Sequence, residues 1–190
     1  MHRPLLLCIA FLLAGPLAWA CQPTEPLRYS LQLIPSEVGG ADTVRRIALG
    51  SNDCLQVHYP RFDVRAGDWS MNLPGNERAA LDGMIAELKP MPFDPTALAA
   101  RKAAVELQLR QLTEGAVSRP QISYVAGASR HVLEIAPGTP QARKLAWTAL
   151  AHDAQRYVEL PELATLWRAV EALMALSEDP RLQRLSEPSR

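Results

Sequence analysis

The chain has no surplus of either charge: 20 Lys and Arg stand against 20 Asp and Glu in 190 residues. Such a balance creates no basic field for nucleic acid or for an anionic membrane surface. Cysteine is scarce, three residues in all, and none lies in a Cys-x-x-Cys pair, which sets aside a thiol oxidoreductase. There is no Gly-rich phosphate loop, no internal repeat, and no set of His, Cys or carboxylates at metal-ligand spacing. After residue 20 no apolar run approaches the ~20 residues needed to span a bilayer, because Arg, Asp or Glu recurs throughout. The sequence thus points to no catalytic residue, no metal and no cofactor.

What is present starts with a leader. Arg3 supplies a single positive charge, Leu5–Leu13 form a short apolar run, and Gly15-Pro16 precede Ala18-Trp19-Ala20. That order is the charged, apolar and small-x-small pattern of a cleavable secretory signal peptide over residues 1–20. Cleavage there makes Cys21 the first mature residue and removes Cys8 and Arg3, leaving one more acidic than basic residue. The expected location is periplasmic or secreted. The basic residues are mostly arginine and alanine is abundant, as in a bacterial gene of high GC content.

Two cysteines then remain, Cys21 and Cys54, the number that makes one disulfide in an oxidising compartment. The position of Cys21 also resembles a lipobox, in which a Leu-Ala-Gly-Cys type of pattern precedes a lipidated cysteine. Trp19 departs from that pattern. A Cys21–Cys54 bridge and a lipid anchor at Cys21 are therefore both open, with the bridge favoured.

Along the mature chain, Leu27, Tyr29, Leu31 and Leu33 alternate with polar residues, the period of a half-buried strand. Val44–Leu49 and Leu55–Tyr59, joined through Gly50-Ser51-Asn52-Asp53, read as a β-hairpin. Parity sets its register, because a one-residue slip would turn every apolar side chain outward. Leu49 should face Leu55 and Ile47 face Val57, with Arg46 opposite His58 on the other surface. A fourth strand carries Trp69, Met71 and Leu73 on one side.

Asn76 is the expected N-cap of a helix bearing Leu81, Met84, Ile85 and Leu88, and Asp94-Pro95 opens a second helix that runs to Leu112 before Gly115. Gln121–Ala126 and His131–Ile135 read as a second hairpin. Helices over Pro140–Tyr157 and Pro161–Leu176 follow, and residues 178–190 are expected to be a loosely ordered tail. The predicted fold class is α+β: one domain over 21–177, with an antiparallel β-sheet built from hairpins and helices packed on one side.

The residues that stand out for binding surround the first hairpin: Arg45, Arg46, His58, Arg61 and Arg65, with Asp53, Asp63 and Asp68 interleaved. As a patch they suit a carboxylate-bearing or protein partner; as mixed charges they also suit a plain solvated face. Gly127-Ala128-Ser129 resembles a nucleophile elbow but lacks its second glycine and its strand-to-helix context. His152-Asp153 should diverge on a helix rather than form a dyad. The function expected on these grounds is an exported, non-catalytic protein that binds another envelope or secreted protein, of the inhibitor, immunity or assembly-accessory type. The alternatives are a small envelope hydrolase using His58, Ser129 and the turn aspartates, and a lipid-anchored outer-membrane structural protein.

Overall fold

The computed structural model describes residues 21–36, 42–113 and 127–185. Four strands come first, β1 (Tyr29–Ile34), β2 (Arg45–Leu49), β3 (Cys54–Tyr59) and β4 (Gly67–Asn72), followed by helices α1 (Gly75–Ala86) and α2 (Pro95–Thr113). Strands β5 (Arg130–Ile135) and β6 (Arg143–Thr148), helices α3 (Leu150–Arg156) and α4 (Pro161–Ser177), and a short β7 (Gln183–Arg184) complete the order. All the strands lie in one antiparallel sheet ordered β6-β5-β1-β2-β3-β4-β7. The fold is α+β. β1 to β4 form a meander, and β5 returns to the free side of β1.

The first hairpin has the register that parity demands: Leu49 faces Leu55, Ile47 faces Val57 and Arg46 faces His58. Its apolar row runs across the sheet through Leu31 and Leu133 in one direction and Trp69 and Met71 in the other. α4 crosses this face and packs against α1 and α3. Leu163, Leu166, Val170 and Leu173, one stripe of α4, are almost fully buried, each contributing about 1.5–3 kcal/mol of apolar burial. The other face of the sheet presents Ser30, Gln32, Arg46, Gln56, His58 and Asp68.

The bridge between Cys21 and Cys54 is formed, with Cα atoms 5.8 Å apart. It draws the N-terminal segment over the tip of the first hairpin. There Asn52 Nδ2 donates to Gln22 O at 2.9 Å, Thr24 N donates to Asn52 Oδ1 at 3.1 Å, and Ser51 N donates to Thr24 O at 3.2 Å. Gly50 is required by this approach, since a Cβ there would stand 2.7 Å from Thr24 N and 2.8 Å from Pro23 Cα. Cys54 is fully buried beneath the segment.

Several expectations are corrected. Residues 140–157 do not form one helix: Pro140 sits in a turn, and Arg143–Thr148 form β6, paired along β5. Leu145 and Trp147 are buried while Lys144 and Thr148 are exposed, which is period two. The helical spacing of Trp147, Leu150, Ala154 and Tyr157 arises because α3 begins just after the strand, across Ala149 in the left-handed region (φ 59°, ψ 32°). The second hairpin is therefore β5–β6, one strand later than expected; Gln121–Ala126 and Gly115 lie outside the described residues.

At α1 the N-cap position is Pro74, with no side-chain cap, and Asn76 lies inside the helix. Asp94 does cap α2, accepting from Thr96 N at 2.9 Å and Ala97 N at 3.3 Å. The segment 178–185 is fastened, not loose. Leu182 is buried, Arg181 forms a forked pair with Glu77 at 2.9 and 2.7 Å, and β7 pairs with β4. Residues 186–190 lie outside the described residues.

Candidate functional site

Adjacent residues on a strand point to opposite faces, so the five basic residues expected to form one patch divide. Arg45 points to the helical side. Its guanidinium reaches Asp63 at 3.1 Å and Glu178 at 2.7 Å, and stacks over the ring of Tyr59 at 4.9 Å. Arg65 covers the same ring at 4.3 Å and also pairs with Glu178. Tyr59 is fully buried, and its hydroxyl donates to Ser177 O at the end of α4. These two arginines thus clamp the β3–β4 loop to the C-terminus of α4.

The loop itself is tightly bonded. Asp63 N donates to Pro60 O at 2.9 Å, Ala66 N to Asp63 O at 3.0 Å, Arg65 N to Asp63 Oδ1 at 2.9 Å, and Trp69 Nε1 to Arg65 O at 2.7 Å. The Arg65 amide, with Arg45 behind it, holds the Asp63 carboxyl below the usual carboxylate range despite partial burial. Gly67 closes the loop at φ 109°, a conformation other residues resist. The result is a rigid projection from which Phe62, 60% exposed, and Val64, 101% exposed, extend into solvent beside the exposed Arg61. Sequence reasoning passed over both apolar residues, although an aromatic and a Val in an otherwise polar connection were a visible signal.

Arg46 and His58 lie on the opposite face. His58 is held by two carboxylates, Nε2 to Asp42 Oδ1 and Nδ1 to Asp68 Oδ1, each at 2.8 Å. Partial burial lowers the affinity of the imidazole for its proton, but the bonds to Asp42 and Asp68 together outweigh it, and the His58 pKa lies above its ordinary value. The bond from His58 likewise lowers the Asp42 pKa, with smaller help from Arg61. The charged imidazole is thus favoured in the fold.

A raised histidine contributes stability that is fully present below its unfolded value of about 6.5 and is lost as pH rises through the folded value. Buried His131, lowered by desolvation alone, has the opposite sign. The difference in urea-unfolding stability between the native protein and His58→Gln isolates the first effect. It should favour the native protein at pH 6, shrink as pH rises, and diminish with added salt. A difference independent of pH would show that the imidazole is not charged between its two carboxylates.

A third cluster forms where α2, β6 and α3 meet. Asp153 is 1% exposed and accepts from Lys102 Nζ at 2.8 Å, Trp147 Nε1 at 2.8 Å and His152 Nδ1 at 3.0 Å. Burial raises the Asp153 pKa, the three donors lower it, and the donors win. His152 therefore meets its neighbour, contrary to the divergence expected on a regular helix. Beside this cluster lies an open hollow of about 330 Å³ bordered by Ala99 and Lys102 on one side and Ala146 and Thr148 on the other.

Ser129 precedes β5, three strand spacings, about 14 Å, from β3 and His58. Both nitrogens of His58 are occupied by carboxylates, leaving none to accept a nucleophile's proton. Among the described residues no group of three or more His, Cys, Asp or Glu is placed to hold a metal ion, and no helix is long and apolar enough to cross a membrane. No family model, curated protein or solved structure matches this chain.

Proposed function

We propose that this is an exported protein, fastened by its disulfide, that works by binding another protein through the β3–β4 loop. One observation carries the reading: Phe62 and Val64 are held in solvent on a loop whose backbone and flanking arginines are already immobilised. An aromatic ring and a valine held in water on one loop are apolar area that a partner would gain by burying. A preorganised loop loses little entropy on docking, and aromatic residues with a neighbouring Arg dominate the energetics of interfaces. Arg61 adds a cation at the rim. The partner suited to it offers an apolar pocket edged by a carboxylate.

Export is supported by the signal-like residues 1–20 and by the bridge, since disulfides persist in oxidising compartments such as the periplasm or outside the cell. The same bridge occupies the Cys21 sulfur that a lipid thioether needs, which disfavours the lipid-anchored alternative. The hydrolase reading loses support from the separation of Ser129 and His58.

Capture experiments from periplasmic extract at physiological salt test the reading. The native protein should retain a specific partner, and a Phe62→Ser, Val64→Ser variant should lose it by about a hundredfold in affinity. That variant should keep its unfolding midpoint, because both side chains are exposed. Equal retention by the two proteins, or no specific retention by either, would overturn the assignment.

A further inference from the structure

Two backbone bonds fix which way the sheet's edge faces. Ala136 N donates to Arg28 O across the β5–β1 side at 2.7 Å, and Ala149 N donates to Ser129 O across the β5–β6 side at 3.2 Å. Hydrogen-bonding direction alternates along a strand, so Arg143, Leu145 and Trp147 bond to β5 while Lys144, Ala146 and Thr148 turn their N–H and C=O groups outward. Among the described residues β6 is the last strand on this side, and no hydrogen bond reaches those outward groups. The edge is a short ladder waiting for an extended backbone, whose own groups repeat at the same two-residue spacing.

The edge is not open on all sides. α2 stands beside it, and between them lies the hollow bordered by Ala99 and Lys102 on the helix and by Ala146 and Thr148 on the strand. The two alanines leave width along its middle. Its charge is uneven. Lys102 is matched by Asp153, and Lys144 turns to Glu134 at 2.9 Å, but Arg130, exposed and directly across from Thr148, makes no ion pair among the described residues. Among the described residues, Arg130 is therefore the uncompensated cation of the cleft, at the end where β6 runs into Ala149.

We propose that the β6 edge and α2 form a binding cleft for an extended peptide segment bearing an acidic side chain, which adds to the sheet as a further strand with its carboxylate on Arg130. Main-chain bonds to Ala146 and Thr148 supply affinity, and the Arg130 contact selects the acid. The site lies at the other side of the sheet from Phe62 and Val64 and does not depend on the role given to them.

The test uses the disulfide-intact protein and a displayed library of short linear peptides with one fixed glutamate. Selected peptides, resynthesised and titrated by fluorescence anisotropy, should lose about tenfold in affinity when the glutamate becomes glutamine or when Arg130 becomes Ala, and the two changes together should cost no more than either. N-methylation of the peptide should abolish binding at alternate positions only. Ala146→Pro removes an outward N–H without touching the bonds to β5 and should also abolish it. The N-methyl series decides the question if that variant does not fold. The Phe62→Ser, Val64→Ser variant should bind these peptides unchanged, so failure here and failure of the loop assignment are distinguishable. Absence of any binder, indifference to methylation parity, or indifference to Arg130→Ala would overturn the proposal. So would a dimer in sedimentation that Ala146→Pro dissolves, because the edge would then belong to a second copy of the chain.

Discussion

Val57→Asp is expected to cost about 4 kcal/mol or more, enough to leave little folded protein if the total stability lies in the usual range. Val57 is fully buried between Ile47 and Trp69 in the centre of the sheet, under the helical layer, where a carboxylate would lose its water among apolar side chains. The neighbouring His58→Asp places an acid beside Asp42 and Asp68 on the other face, in contact with water. Its cost should be a small fraction of the first, arising from repulsion among carboxylates that solvent screens. Urea unfolding followed by tryptophan fluorescence, with the bridge intact, compares the two. Equal and small losses would mean that the hairpin register is wrong.

Removing the bridge by a paired Cys21→Ser, Cys54→Ser change should lower stability by about 3–4 kcal/mol, the chain-entropy value for its separation of 33 residues. Part of the loss should be local: the bonds of Asn52, Ser51 and Thr24 that dress the hairpin tip depend on the N-terminal segment being held there. Reductant should therefore shift the unfolding midpoint of the native protein to that of the double variant and leave the variant unmoved. Intact mass gives the complementary reading, since the bridged chain beginning at Cys21 is lighter than its reduced form by a pair of hydrogens. A native protein whose midpoint ignores reductant, or whose mass carries a diacylglyceryl group, contradicts the bridge.

What could be read in advance was whatever rests on local period and on counting. The alternation in Tyr29–Leu33 and around Gly50–Asp53 was enough for strand, turn and register, because two half-buried strands with a short connection have only one parity that keeps Ile47, Leu49, Leu55 and Val57 inside. With residues 1–20 read as a leader, two cysteines remained and a bridge between them was favoured over a lipid at Cys21, and Asp94-Pro95 marked the start of α2 through its own side-chain chemistry. The stripe of α4 was legible for the same reason: its burial follows a single unbroken period of 3.6.

The misreadings share a cause. Over 140–157 a strand and a short helix follow one another so closely that their apolar residues mimic one helix, and only the partner strand β5 distinguishes the two. Asp153 looked like an ordinary helical carboxylate because its donors, Lys102 and Trp147, come from other elements.

The sequence by itself therefore determined the fold class, the first hairpin with its register, and the absence of a long apolar span after residue 20, and it favoured the Cys21–Cys54 pair for a bridge. These follow from short-range periodicity, composition and residue count. Tertiary structure alone decided that Arg45 and Arg65 serve as a clamp while Arg46 and His58 face away, that Phe62 and Val64 are left in water, and that, among the described residues, β6 ends the sheet with Arg130 unmatched. Each of those depends on which surfaces distant segments cover, and coverage is set by the packing of the whole chain rather than by any stretch of it.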